Sequence, residues 1–202
     1  MILVTIMKTK QIFRLLAVLF FITAAGCASL PDNSSKHESQ AFDRSETTLL
    51  GKKFAEHAVK HPRGQSAYHL LSDALDAFVA RAALAQIAEH SIDSQYYMVH
   101  GDLVGLLYID QLVKAADRGV KVRFLLDDMD EGTRDFGLAK LDYHPNIEVR
   151  IFNPFGRNTG KTMQFVTGFG KQTRRSHNKT YTVDNVATIV GGFSANPLTL
   201  AS

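Results

Sequence analysis

The sequence predicts an α/β domain, a layered sandwich with helices flanking a mixed, mostly parallel sheet, and three observations carry that prediction. Apolar residues recur at helical spacing between Gly64 and His90, and a run dense in β-formers, SIDSQYYMV at 91–99, follows directly. Strand, helix and strand patterns then alternate, and a helix-length crossover implies parallel pairing of the strands it joins.

The elements follow in order. Over 64–90, Leu71, Ala74, Leu75, Phe78, Ala82 and Ala85 keep the three-and-four spacing of one buried face, which predicts one or two helices. Residues 91–99, bounded by Gly101, predict a strand. From Leu103 to Arg118, Leu107, Leu112 and Ala115 share one helical face, and Gly119 is the stop. VKVRFLLDD at 120–128 predicts a second strand, and IEVRIFN at 147–153 a third, after a turn at His144-Pro145-Asn146. Residues 154–176 hold four glycines and no clear period, and are expected to form a long functional loop.

Composition is that of an ordinary globular chain: 202 residues, 45% hydrophobic and 21% charged. The formal charge is +3, but three of the 23 basic residues, Lys8, Lys10 and Arg14, precede Cys27 in a stretch without Asp or Glu. The rest therefore carries 20 basic against 20 acidic residues, which argues against a protein that coats polyanions and leads us to expect no nucleic-acid partner.

The N-terminus has the three-part form of an export signal: a basic lead from Met7, an apolar run from Leu15 to Ala25, and small residues before Cys27. As a helix that run spans about 16 Å, well short of a bilayer core. Cys27, the single cysteine, follows Ala24-Ala25-Gly26, which resembles the lipobox of bacterial lipoproteins. That resemblance implies cleavage before Cys27 and its lipidation. The expected organisation is a signal peptide over 1–26, a polar tether over 27–48, an α/β domain over 49–192 and a tail over 193–202.

Three side-chain groupings bear on chemistry. Asp127, Asp128 and Asp130 sit at the end of the second strand, where sites form in parallel sheets, but they lack metal-ligand spacing and a capped, solvated turn is the plainer reading. GRNTGKT at 156–162 lacks the first glycine of a phosphate loop, since Phe155 stands there. In HNKTYTV, His177 and Lys179 are two apart, so on a strand they share one face. Neutral imidazole can attack phosphorus while an ammonium steadies phosphoryl oxygens. From Arg157 to Val183 there are six basic residues (Arg157, Lys161, Lys171, Arg174, Arg175, Lys179) and no acidic one, a field that favours a phosphate-bearing substrate; Arg174 and Arg175 are candidate phosphate-binding residues. Asp184 falls on the opposite strand face and, with Asn185, is expected to form the turn of a hairpin whose return strand is NVATIVGG.

His177-Asn178-Lys179, four residues, Asp184, six residues and Gly191-Gly192 together resemble the HxKxxxxD motif of the phospholipase D superfamily. SIDSQYYMVHGDLVG, AADRGVKVRFLLDD and VRIFNPF resemble the cardiolipin synthase-like lipoproteins of that superfamily, so the likeness covers about residues 50–192. It implies a phospholipase D-like sandwich, with His177, Lys179 and Asp184 as its catalytic motif. The implied chemistry is phosphatidyl transfer or phosphodiester hydrolysis through a phosphohistidine, with no metal and no cofactor. One histidine attacks phosphorus, and that of a second motif protonates the leaving alcohol. The substrate implied is an anionic phospholipid such as phosphatidylglycerol, at a bacterial cell-envelope membrane reached through lipidated Cys27 and facing the periplasm.

Two departures qualify the resemblance. The family places an Asn two positions after the double glycine, where this chain has Ser194, with Asn196 displaced, so the domain is expected to be truncated after its first motif. His-x-Lys occurs once, so activity as a monomer is expected to be impaired and a homodimer to supply the second histidine. The alternatives are a catalytically silent lipoprotein fragment and a nuclease of the same superfamily.

Overall fold

The computed structural model describes residues 11–14, 34, 37–129, 134–156 and 160–192. The chain divides into two units, one formed by Lys36–Pro154 with Arg174–Ser202 and the other by Met1–Ser35 with Phe155–Thr173. Cys27, the tail over 193–202, Asp130, Arg157 and, apart from 11–14, the signal segment lie outside the described residues. Among the described residues no helix is long and apolar enough to cross a membrane.

The larger unit is a five-stranded sheet with helices packed against it. Its strands are β1 (Ser91–Tyr96), β2 (Lys121–Asp127), β3 (Ile147–Phe152), β4 (Thr180–Val183) and β5 (Ala187–Val190), in spatial order β3-β2-β1-β4-β5. β1, β2 and β3 pair in parallel, β4 runs antiparallel to β1, and β5 antiparallel to β4, so four of the five strands share one direction. Its helices are α1 (Leu49–Ala58), α2 (Ala74–Ile87), α3 (Leu103–Asp117) and α4 (Arg134–Asp142).

Period-two alternation decides the faces. Ile92, Val122, Ile147 and Val183 stand side by side across the sheet and are at most 4% exposed, and Phe124, Val149 and Tyr181 form the next buried row. Each such side chain, fully buried, stabilises the fold by about 1.5–3 kcal/mol. The opposite face carries Glu148, Arg123, Asp93, Thr182 and Thr188 in one polar row across all five strands. Arg123 forms a two-pronged ion pair with Asp93, whose hydrogen bond raises the guanidinium pKa. Burial pushes the Glu148 carboxyl up, but the hydrogen bond and charge of Arg150, 2.6 Å away, outweigh it and hold the group below its usual value.

Helix ends follow local chemistry. Asp73 caps α2 by accepting from Leu75 N at 2.7 Å, and Asp102 caps α3 by accepting from Gly105 N at 2.8 Å. α3 closes as expected at Gly119, whose φ of 97° suits a residue without Cβ; Gly119 N bonds Ala116 O and Val120 N bonds Ala115 O. α2 starts only at Ala74, so 64–73 is not helical, and α1 was not anticipated. The expected loop over 154–176 instead contains α5 (Lys161–Thr167) and α6 (Phe169–Gln172), in the smaller unit. There the buried Gln164 amide bonds both N and O of Gly156 at 2.7 Å and Phe155 meets Phe165 edge-on, contacts that periodicity cannot reveal.

The hairpin between β4 and β5 turns at Asp184-Asn185 as expected, with φ of 50° and 52° and a Val186 N to Val183 O bond of 2.9 Å. Asp184 is 0% exposed, and its carboxylate accepts from the backbone N–H of Glu89, His90 and Ser91 at 3.0, 2.8 and 2.8 Å. Asp184→Ala, which strands these donors, is expected to lower unfolding stability by about 3 kcal/mol in urea titration.

Candidate functional site

Strand direction brings one end of every strand to a common edge. β1, β2, β3 and β5 end there, and the antiparallel β4 begins there. Crevices outside the carboxyl ends of strands are where α/β sheets build sites. His177 and Lys179 immediately precede β4 at this edge, while Asp127 ends β2, Asn153 follows β3 and Gly191 follows β5.

The segment leading to His177 is clamped from below. Asp127, with a fully buried side chain, accepts from Ser176 N at 2.8 Å and pairs with Arg175 Nη1 at 3.2 Å. Arg175 also donates to Asn153 O at 3.0 Å, and Asn153 Nδ2 donates to Arg174 O at 2.8 Å. Asp127 is therefore not the solvated turn residue that its neighbours suggested, because Arg175 supplies a counter-charge 48 positions away. Arg175 is turned to this carboxylate, whereas Arg174 is exposed.

Beyond the clamp His177 is exposed. Its ring centroid lies 4.9 Å from that of Tyr97, and Lys179 Nζ lies 3.3 Å from each imidazole nitrogen and from His177 O. Lys179 also sits over the Tyr97 ring, 5.8 Å from its centroid. An accessible imidazole thus shares a small space with an ammonium, as the i, i+2 spacing required. Asp184 is not part of this grouping: it ends the other side of β4, seven residues away, or about 23 Å at the rise of an extended strand. Lys161 and Lys171 belong to the smaller unit.

Arg81, which the apolar spacing over 64–90 does not single out, ties the edge together. It is 2% exposed and donates to Tyr96 Oη at 2.7 Å and to Ala77 O and Gly191 O at 2.6 Å. Beneath it Tyr96, Tyr108 and Tyr181 pack edge-on; burial raises all three phenol pKa values, Tyr108 well above the ordinary value, so they stay neutral supports. The lone hint of this role was an arginine within an otherwise apolar stripe.

A cavity of about 70 Å³ touches the site, lined by Lys179, Gly192, Tyr96, Met98, Val99 and His100, among others. A larger one, about 430 Å³, lies on the polar sheet face against the Asp93–Arg123 and Glu148–Arg150 pairs. Those charges already satisfy one another, so the small cavity is the one that bears on the motif.

Fold and motif together define a phospholipase D-like domain. Residues 82–199 match the family described as "Cardiolipin synthase, PLD-like domain", and the chain belongs to it. Among curated relatives, cardiolipin synthase C of Escherichia coli (strain K12) is 48% identical over 133 residues, covering 66% of this chain and 28% of its own length. An uncharacterized protein of Helicobacter pylori (strain ATCC 700392 / 26695) is 38% identical over 184 residues, covering 90% of this chain and 36% of that one. The chain thus spans roughly a third of the length of these relatives. The solved structure of NucT from Helicobacter pylori aligns over 65% of this chain and 76% of its own, with 17% identity and a TM-score of 0.43, a likeness too slight to carry an argument.

Removing the clamp tests its role. Arg175→Leu leaves the Asp127 carboxylate buried without a counter-charge, and chemical denaturation is expected to show a loss of about 3–5 kcal/mol.

Proposed function

We propose that this domain carries one half-site for phosphodiester transfer on an anionic phospholipid such as phosphatidylglycerol. The observation that carries the reading is the exposed His177 imidazole with Lys179 Nζ 3.3 Å away at the carboxyl edge of the sheet. Family membership and the likeness to cardiolipin synthases support the choice of a lipid substrate.

In this reading a neutral His177 nitrogen attacks phosphorus and the bond from phosphorus to the leaving glycerol oxygen breaks. Lys179 balances negative charge on the phosphoryl oxygens as it develops. The leaving oxygen takes a proton from a second histidine, which comes from a second copy of the chain. Water or another alcohol then attacks the phosphohistidine, gives its proton to that histidine, and the phosphorus–nitrogen bond breaks to restore His177. Asp184 acts at a distance, by holding β4 in place. The same proposal puts the chain at the bacterial cell envelope facing the periplasm, anchored through lipidated Cys27; incorporation of labelled palmitate, lost in Cys27→Ser, tests the anchor.

The central test is turnover of phosphatidylglycerol to cardiolipin or phosphatidic acid, with sedimentation to detect the dimer. His177→Ala is expected to reduce the rate by about 10³-fold or more, and Lys179→Met by about 10²-fold. Equal silence of the parent chain and His177→Ala would mark a catalytically silent fragment, and loss of single-stranded DNA instead of lipid would mark a nuclease.

A further inference from the structure

α1 is anchored to the larger unit by its first turn. Thr48 caps it by accepting from Gly51 N at 2.9 Å, Leu49 N donates to Glu89 Oε2 at 2.6 Å, and Leu50 and Gly51 are buried. From Lys52 through Leu70 every residue is exposed. At 100° per residue, Leu50, Phe54 and Ala58 form a stripe with Gly51 and Ala55 beside it, an apolar arc about 140° wide. Beyond the first turn that arc reaches solvent at Phe54, which is 48% exposed.

The other side of the helix carries Lys52, Lys53 and Glu56, and two more basic residues follow just past its end. Between Leu49 and Arg63 stand Lys52, Lys53, Lys60 and Arg63 against a single acidic residue, Glu56, although the chain beyond Cys27 is balanced in charge. A short helix with an open apolar arc and a cationic face matches the interfacial zone of an anionic bilayer, where the arc enters the acyl boundary and lysines meet phosphates.

We propose that α1 is a docking surface for an anionic lipid membrane, with Phe54 inserting and Lys52 and Lys53 reading its charge. The site is separate from His177 and Lys179, and its test needs no turnover, so its outcome does not depend on the catalytic reading.

The experiment is flotation of the full-length chain, carrying Cys27→Ser in every arm so that acylation contributes nothing, on phosphatidylcholine vesicles with and without phosphatidylglycerol. Lys52→Gln/Lys53→Gln is expected to weaken binding to the anionic vesicles about 30-fold, about five-fold per lysine, and to leave binding to neutral vesicles unchanged. Phe54→Ser is expected to weaken binding to both by about ten-fold. All three positions are exposed, so the variants should unfold at the parent's denaturant midpoint, which circular dichroism checks. Unchanged binding in both variants overturns the proposal. So does a Phe54→Ser variant that dissociates a dimer while vesicle binding stands, which would assign the face to a second copy.

Discussion

The buried carboxylate of Asp184 is the constraint on which the arrangement depends. It accepts three consecutive backbone N–H groups, from Glu89 to Ser91, while its own N–H donates to Ser91 O at 2.8 Å. Charge-assisted bonds of this kind are worth about 1.5–3 kcal/mol each, more than ordinary turn contacts. The latch fixes Val183 opposite Ile92 and hence the register of β4 on β1. A slip of one residue would turn Tyr181 and Val183 from the core to the polar face and bring Thr180 and Thr182 inward.

With the register set, the common edge closes through two arginines, Arg81 buried and Arg175 half-buried, that need different partners. Arg175 answers a buried carboxylate, whereas Arg81 donates to two carbonyl oxygens and a phenol. Each holds chain at the end of a strand: Arg175 the approach to His177, and Arg81 Gly191 after β5, whose N–H also donates to Lys179 O at 2.9 Å. The run of six basic residues is therefore not one uniform field. Arg175 serves the framework, Lys161 sits over Phe155 in the smaller unit, and Lys179 stands beside the imidazole.

What the sequence made legible were features of short range. β1 to β3 and α3 follow from alternation, apolar spacing and Gly119, and the pairing of His177 with Lys179 from a two-residue offset. The turn at Asp184-Asn185 was legible because both residues tolerate positive φ. Features set by distant partners were not. The bond from Arg81 to Gly191 spans 110 positions and the Asp127–Arg175 pair 48, so neither residue type nor spacing announces them. Tyr97 was hidden differently: it follows a core tyrosine just past the end of β1, and only the placement of β4 brings it to the imidazole. α1 escaped notice because few of its residues are buried, and α5 and α6 because glycines border them.

The spacing of the motif then acquires a physical meaning. Four residues separate Lys179 from Asp184, and they are the whole of β4, the strand that crosses the sheet from its site edge to its latch edge. The carboxylate belongs at the buried end, where three amides compensate its charge, and the imidazole and ammonium at the open end, where a phosphate could reach them. Were the carboxylate beside Lys179 instead, it would neutralise the cation that the proposed chemistry needs. A shorter spacer would lift Asp184 from the amides of 89–91, and a longer one would carry His177 past Tyr97 and the clamp on Ser176. The interval therefore measures the width of the sheet, keeping the acid that orders the strand away from the groups it presents.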